Sequence, residues 1–362
     1  MAAWSDLTDD VLGYITSFLP FPDHYRFGTV CKNWRSILKR KLPPPAPQLP
    51  WLVLEEENET KKRKFYSLFE GKHYFIEISE LCGRYICGSS HGWLFAVDSE
   101  ITAILVNPFT RECYELPPFP EYYIQQCDPF EEMRTQIVFK AILSHDPKER
   151  SDFMAMILLG AEYTTPAFWK PGNASWTVID VPKKYTVDDI VYFKGNFYLI
   201  SNFSTLSVLH LVDFDPEPKL TEVGPQIEQV GGQKYLVDFD GCLLLIDRCC
   251  EHVGDDLTNG VQCDVIEPNL EKNCLYDRRD IDGYALFLGR NSSIFVDSSQ
   301  FPMCKKNSIN FTHLTDSFSR EEFGCHEFGI FDMITKTWST YYPVEASPTS
   351  IGSPVWLTPN PW

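Results

Sequence analysis

Gly88-Ser89-Ser90-His91-Gly92 fits the G-x-S-x-G string that, on a strand-to-helix turn, lifts a nucleophilic serine clear of a sheet. The residues that follow, Trp93 to Val97, read as a second strand rather than a helix. The string is therefore expected to make a hairpin turn, with His91 a turn or core histidine. Cys249, Cys250 and His252, with Cys263 or Cys325 and His326, hold enough sulfur and imidazole for a tetrahedral metal site. Their spacing argues against one, because structural zinc sites show spaced ligand pairs and adjacent cysteines do not easily reach one ion. Asp255-Asp256 lacks the alternating oxygen ligands of a calcium loop, and no glycine-rich phosphate cradle precedes a helix. No cofactor, no metal and no catalytic residue are expected.

Charge narrows the ligand classes further. The chain has 32 Lys and Arg against 50 Asp and Glu, a formal net charge of −18. That field repels a phosphate backbone, so nucleic acid is not an expected partner. The KKRK run from Lys61 to Lys64 could serve as a nuclear-import signal, but it follows acidic residues and precedes an apolar run, which suits a solvated turn. No run of eighteen apolar residues and no basic-then-apolar leader is evident, so neither a membrane span nor a signal peptide is expected. The expected location is the cytoplasm, the nucleus or both. The 12 cysteines are scattered without C-x-x-C pairs, as free and largely buried thiols would be. Four Asn-x-Ser/Thr sequons, at Asn173, Asn202, Asn291 and Asn310, have meaning only in a secretory setting.

Positioning begins with the first forty residues, where the spacing predicts three helices. Capping side chains from Ser5 to Asp10 precede an apolar set at Val11, Leu12, Ile15, Phe18 and Leu19, the face of one helix. Pro20 stops it. Pro22 and Asp23 open a second short helix carrying Tyr25, Phe27 and Val30, and a third runs through Trp34, Ile37 and Leu38 to the basic Lys39 to Lys41. Prolines from Pro43 to Pro47 follow. A unit of this size lacks the volume for a self-sufficient core, so its apolar surface implies a docked partner or its own C-terminal neighbour.

Beyond the prolines the pattern turns to short runs rich in Val, Ile, Phe, Tyr and Trp, broken by Gly, Asn, Asp and Pro, which reads as strands and tight turns. Hairpins are predicted near Gly92, Pro147, Gly195, Gly241, Arg290 and Thr335. A second turn type sits between them at Asn107, Pro171, Asp215 and Asp332. Two alternating hairpins suit a four-stranded propeller blade, and ring closure protects strand edges; a two-sheet β-sandwich is the competing architecture. Most aromatics are expected in the core, with Tyr122, Tyr123, Trp169 and Phe301 as candidates for a recognition face. The segment Glu121 to Arg134 is the candidate for a long target-contacting loop.

The N-terminal order Leu-x-x-Asp-Val-Leu, Ile-x-x-x-Leu-Pro, Val-Cys-Lys-x-Trp-Arg resembles an F-box, the motif that binds a Skp-type adaptor of a cullin-RING (SCF) ubiquitin ligase. The resemblance implies an adaptor-binding set of Leu7, Thr8, Val11, Leu12, Ile15, Leu19, Pro20, Val30, Cys31 and Trp34. Thr8 stands where that family usually has proline, and a threonine there can still cap the helix. Downstream, SSHGWLF with NPFTRECYELPP, FWKPGNASW, DIVYFKGNFYLI, YLVDFDGCLLLI, ALFLGRNSSIFV and KKNSINFTH occur in the order seen in plant F-box proteins with a KIB-type, kelch-like β-propeller. This implies a small all-α F-box at residues 1–41, a proline-rich linker at 42–50, an all-β propeller for substrate recognition at 51–345 and a C-terminal tail at 346–362. The implied function is substrate recognition within a ubiquitin ligase, the target protein unidentified and the chain itself not an enzyme. The alternatives are a ligand-binding or enzymatic propeller with a structural helical cap, and an F-box scaffold acting outside degradation.

Overall fold

The computed structural model describes residues 4–19, 23, 27–28, 30–38, 48–57, 62–68, 70–126, 137–160, 164–182, 185–211, 218–227, 232–250, 261–312, 329–340 and 354–360. Helices are few among them: α1 (Asp9–Thr16), α2 (Lys32–Leu38) and α3 (Glu121–Gln126) are the longer ones, and a short 3-10 turn (Trp4–Asp6) precedes α1. None is long and apolar enough to cross a membrane.

The rest is six sheets in chain order. Blade 1 holds β1 (Trp51–Glu57), β2 (Lys62–Ser67) and β3 (Lys72–Glu77). Blade 2 is β4 (Tyr85–Ser90), β5 (Trp93–Val97), β6 (Ala103–Val106) and β7 (Cys113–Glu115). Blade 3 is β8 (Val138–Leu143), β9 (Ala155–Leu159), β10 (Thr165–Trp169) and β11 (Thr177–Val178). Blade 4 is β12 (Val187–Phe193), β13 (Asn196–Ser201), β14 (Leu206–His210) and β15 (Lys219–Glu222). Blade 5 is β16 (Gln233–Phe239), β17 (Cys242–Cys250), β18 (Val261–Asn269) and β19 (Cys274–Asp277). Blade 6 is β20 (Tyr284–Leu288), β21 (Ile294–Asp297), β22 (Ser308–Phe311), β23 (Gly329–Asp332) and β24 (Thr337–Thr340). It departs from the simple meander, because β20 pairs antiparallel with β21 on one side and parallel with β22 on the other.

Local chemistry explains the strand turns. Lys194-Gly195 and Asp240-Gly241 both have positive φ at the two central positions, the primed turn whose twist matches a two-residue hairpin. The second turn type uses a side chain instead. Asn107 Oδ1 accepts from the Phe109 and Thr110 N–H groups at 3.0 and 3.1 Å, and Asp332 Oδ1 accepts from Ile334 and Thr335 at 2.8 and 3.0 Å.

Six apolar clusters fill the interfaces between consecutive blades. One of them joins blade 6 to blade 1, with Phe287 and Val296 packed on Leu52, Leu54 and Trp356. A chain of interfaces that returns to its start is a closed ring, so the fold is a six-bladed β-propeller; the sandwich is overturned. Closure uses a segment the sequence assigned to a tail after residue 345. β25 (Val355–Leu357) is the fourth strand of blade 1, pairing with β1 through Trp51↔Leu357, Leu52↔Trp356 and Val53↔Val355. A three-residue apolar run after a proline carries too little period to mark a strand, and its partner lies some three hundred residues earlier in the chain.

Polar groups also tie the ring. Lys140 on β8 and Asp189 on β12, each 1% exposed, form an ion pair, and Asp189 Oδ2 accepts the Leu236 N–H of β16 at 2.7 Å. One carboxylate thus holds three blades. Removing one member of a buried pair strands the other charge, which costs about 3–5 kcal/mol. Asp189→Ala is expected to lower the stability read from urea unfolding by that amount. The double change Lys140→Met with Asp189→Leu should recover much of the loss, since no charge is then left unpaired.

Beside this pair, burial pushes the Asp188 carboxyl up to about 6, and the Lys234 ammonium at 3.5 Å offsets only part of the effect. The unfolded chain releases this proton near pH ~4, so between about 4 and 6 the folded chain holds a proton the unfolded one has lost. Stability therefore falls as pH rises through that window and is flat for this group above it. Urea midpoints measured across the window should decline with pH in the native chain and decline less in Asp188→Asn.

Candidate interaction surfaces

Leu12, Phe27 and Ile37 are buried at 0, 4 and 1% exposure and make a small core with Leu7, Ile15, Leu19 and Trp34 around it. Every member comes from the first 37 residues. Trp34 stacks on Phe27 with centroids 4.3 Å apart and donates its indole N–H to the Trp4 carbonyl at 3.2 Å. Arg35 Nε caps the Gly28 carbonyl at 3.0 Å, which holds α2 against the preceding segment.

This core splits the apolar set expected of the first helix into two stripes. Leu12, Ile15 and Leu19 face inward, whereas Val11, Tyr14 and Phe18 are 45, 69 and 66% exposed. Tyr14 and Phe18 meet edge to face at 4.9 Å, and Val30 and Trp4 add 60 and 74% exposed apolar surface. Several large apolar side chains exposed on so small a unit fit a protein-binding surface.

Among the residues expected to bind the adaptor, Thr8, Val11 and Val30 are exposed; Leu7, Ile15, Leu19, Cys31 and Trp34 are half-buried. Leu12 is wholly buried and acts through the core instead of at the surface. Pro20 lies outside the described residues. Thr8 occupies the N-cap position with extended φ −69 and ψ 154, but its side chain makes no capping hydrogen bond, and only its carbonyl accepts the Leu12 N–H, at 3.0 Å. Cys31 starts α2, its carbonyl accepting from Arg35 N and its sulfur lying 3.5 Å from the Trp34 N–H. Tyr14 and Trp4 escaped the sequence reading, which set Val11 and Phe18 on one face with Leu12, Ile15 and Leu19. The signal was present in the i, i+3, i+7 spacing of Val11, Tyr14 and Phe18, one helical step from the inward stripe.

In the propeller, the G-x-S-x-G string runs along β4 and turns at His91-Gly92, with φ 52 and 84, directly into β5. Ser90 is 5% exposed at the end of a strand and no helix follows, so the elbow geometry is not made. Burial and Asp146, His145 and Glu149 nearby act on the His91 imidazole, and burial prevails, lowering its pKa. Of the imagined metal set, His252, Cys325, His326 and Asp255-Asp256 lie outside the described residues, as does the side chain of Cys250. Cys249 and Cys263 sit on neighbouring strands, opposite Gln262 and Arg248 respectively. Burial and the Asp247 carboxylate push the Cys249 thiol up to about 11, which favours the protonated form over the ligating thiolate. Thiol burial is less general than expected: Cys87 and Cys263 are buried, while Cys82 and Cys113 are exposed.

The aromatic candidates divide. Trp169 and Phe301, both 5% exposed, belong to blade cores. Tyr122 is 65% exposed on α3, and Tyr123 packs its ring on the blade 2–3 core. The expected long loop thus begins as a short helix, and its continuation through residues 127–136 lies outside the described residues. Two sequon asparagines, Asn291 and Asn310, are buried at 0 and 2% with their amides bonded to backbone carbonyls.

Residues 65–332 match the KIB1-4 beta-propeller family, and residues 4–44 match the F-box domain. An F-box/kelch-repeat protein of Arabidopsis thaliana is 25% identical over 279 residues, spanning 71% of this chain and 72% of that protein. A putative F-box protein of the same plant is 31% identical over 294 residues, spanning 69% and 72%. The F-box protein KIB3, also of Arabidopsis thaliana, is 26% identical over 208 residues, spanning 55% of this chain and 46% of its own length. With an exposed apolar helix face ahead of a six-bladed ring, and both parts matched in that order, the chain belongs to the F-box proteins that carry a KIB1-4 β-propeller.

Proposed function

We propose that this chain is a substrate-recognition subunit of an SCF-type E3 ubiquitin ligase, docking a Skp-type adaptor through its N-terminal helices and a target protein through its propeller. The observation that carries the reading is the outward stripe of Val11, Tyr14 and Phe18, with Trp4 and Val30 also exposed, on a unit whose own core is only a few side chains. A helical cap serving structure alone has no use for that stripe, because covering it would cost nothing and leaving it bare invites association. Leu7 and Thr8 stand at the start of the same helix and, with the Pro20 that the F-box resemblance adds, complete the proposed adaptor contact, while Leu12 shapes it from beneath. The chain itself contributes binding, and ubiquitin transfer belongs to other subunits.

The target is an unidentified protein, and the propeller's turns offer the surface for it. Proximity labelling in cells, with the full chain and with a chain lacking residues 1–41, tests both halves together. Adaptor and cullin peptides should vanish on deletion while target peptides persist and increase. Unchanged adaptor labelling without residues 1–41 contradicts the proposal. Target levels that do not respond to proteasome inhibition favour a scaffold role over degradation.

A further inference from the structure

We infer that a pocket between blades 3 and 4 is the docking subsite for an acidic-apolar segment of the target, in which a leucine-like or aromatic side chain is flanked by carboxylates. The inference rests on the propeller being the target-binding half of the chain.

The pocket has a volume of about 350 Å³, at the small end of the range for ligand sites and large enough for one apolar side chain and its neighbour. It lies where the β8–β9, β10–β11 and β12–β13 turns come together, on one face of the ring, since alternate turns of an antiparallel meander share a face. Its apolar lining is the half-buried Met154 and Leu211, backed by Phe197 and Leu209, which are 0 and 1% exposed within the blade 3–4 core. A lining backed by a core is preformed, so binding needs little ordering of the site.

The charged lining is an exposed Arg150–Asp152 pair together with Lys170. Arg150 grips Asp152 with both its Nε and Nη2, at 2.9 and 2.7 Å, and its Nη1 lies 3.1 Å from His145 Nε2. Arginine carries no acceptor, so His145 Nε2 must be the bare nitrogen, which leaves its Nδ1 proton for Ser144 Oγ at 3.1 Å. The Tyr192 ring closes edge-on against that imidazole at 5.1 Å. This chain of contacts spends three of the guanidinium's five donors and orients the remainder. Asp152 balances the Arg150 charge, but Lys170, which also lines the pocket, has no ion-pair partner among the described residues. An unbalanced ammonium in the same lining as Met154 and Leu211 is the complement of a carboxylate beside an apolar side chain. On a chain of net charge −18, it is also a place where an acidic segment meets attraction rather than repulsion.

The test uses the full chain and two fluorescein-labelled probes read by anisotropy, acetyl-Gly-Asp-Leu-Glu-Gly-amide and the same peptide with lysine at both acidic positions. The native chain should prefer the acidic probe by about tenfold, a factor that one charge-assisted contact supplies. Lys170→Glu should abolish or reverse that preference. Asn196→Trp, placed at the turn that borders the cavity, should weaken both probes by filling it. Equal binding of the two probes to the native chain, binding of neither below about 1 mM, or a preference unmoved by Lys170→Glu overturns the inference. Co-elution with a Skp-type adaptor is read from the same preparations, so loss of the adaptor interaction with an intact probe preference removes the ligase reading and leaves the pocket standing, and the converse removes only the pocket.

Discussion

A chain ending at residue 353 is expected to lose cooperative unfolding of its propeller, or to precipitate, although it lacks only nine residues of the sequence. Those residues hold β25, whose Val355, Trp356 and Leu357 are buried at 1, 1 and 0% exposure. Full burial of such side chains contributes about 1.5–3 kcal/mol each, against a total stability on the order of 5–15 kcal/mol. Trp356 packs edge to face on Phe287 of blade 6 at 5.1 Å, while β25 itself pairs with β1, so one strand spans the last and first blades. Asn360 then fastens the segment to blades 2 and 3. Its amide donates to the Asp146 carboxylate at 2.6 Å and the His91 carbonyl at 3.2 Å, and its carbonyl accepts from Asn107 at 2.7 Å. Trp93 donates to the same Asp146 at 2.9 Å, so the clasp reaches a core residue. Differential scanning calorimetry of the shortened chain measures the effect. A single transition within about 1 °C of the full chain, the shift expected of less than about 1 kcal/mol in a domain of this size, contradicts closure by β25. Asn360→Ala alone should act in the same direction and less strongly.

Leu12→Ala should unfold the N-terminal helical unit, while Tyr14→Ala on the same helix leaves it folded. The contrast follows from burial. Leu12 is one of three buried side chains that make the core of this unit, and a buried Leu→Ala change costs about 2–5 kcal/mol. A core that small has nothing to spare. Tyr14 is 69% exposed and meets the Phe18 ring edge to face, so its removal takes away outward surface and little internal packing. Hydrogen exchange across Asp9–Thr16 and Lys32–Leu38 separates the two: protection should collapse in Leu12→Ala and persist in Tyr14→Ala. Equal protection in both variants means that the unit draws its stability from elsewhere. The distinction matters for interpreting binding data, because a Leu12 variant that fails to bind an adaptor has lost its fold, whereas a Tyr14 variant that fails has lost a contact.

Much of this architecture is legible in the sequence. The hairpins at Gly195 and Gly241 followed from dipeptides that favour positive φ, and the Asn107 and Asp332 turns followed from side chains that bond their own backbone two and three residues on. What escaped was non-local. β25 has three apolar residues and a partner at Trp51–Val53, a pairing that no local pattern encodes. Trp169 and Phe301 stand near turns yet point into cores, since a turn position fixes where the backbone reverses and not which face its neighbours take. Asp189, an acidic residue in a largely apolar strand, is carried into a buried pair with Lys140 from another blade, a partner that no local pattern names. On α1, the inward and outward stripes differ by a single residue step, so composition alone merged them.

The account stands most directly on one measurement: isothermal calorimetry of a Skp-type adaptor titrated into the purified full chain, alongside Tyr14→Asp with Phe18→Asp, whose folded state is checked by hydrogen exchange. The native chain should bind with one-to-one stoichiometry, and the doubly substituted chain should lose at least about a hundredfold in affinity, the effect of about 2.7 kcal/mol expected when contacts at an interface centre are replaced by charge. A native chain that binds no adaptor, or a folded variant that binds as tightly as the native chain, contradicts the proposal that these helices join the propeller to a ubiquitin ligase.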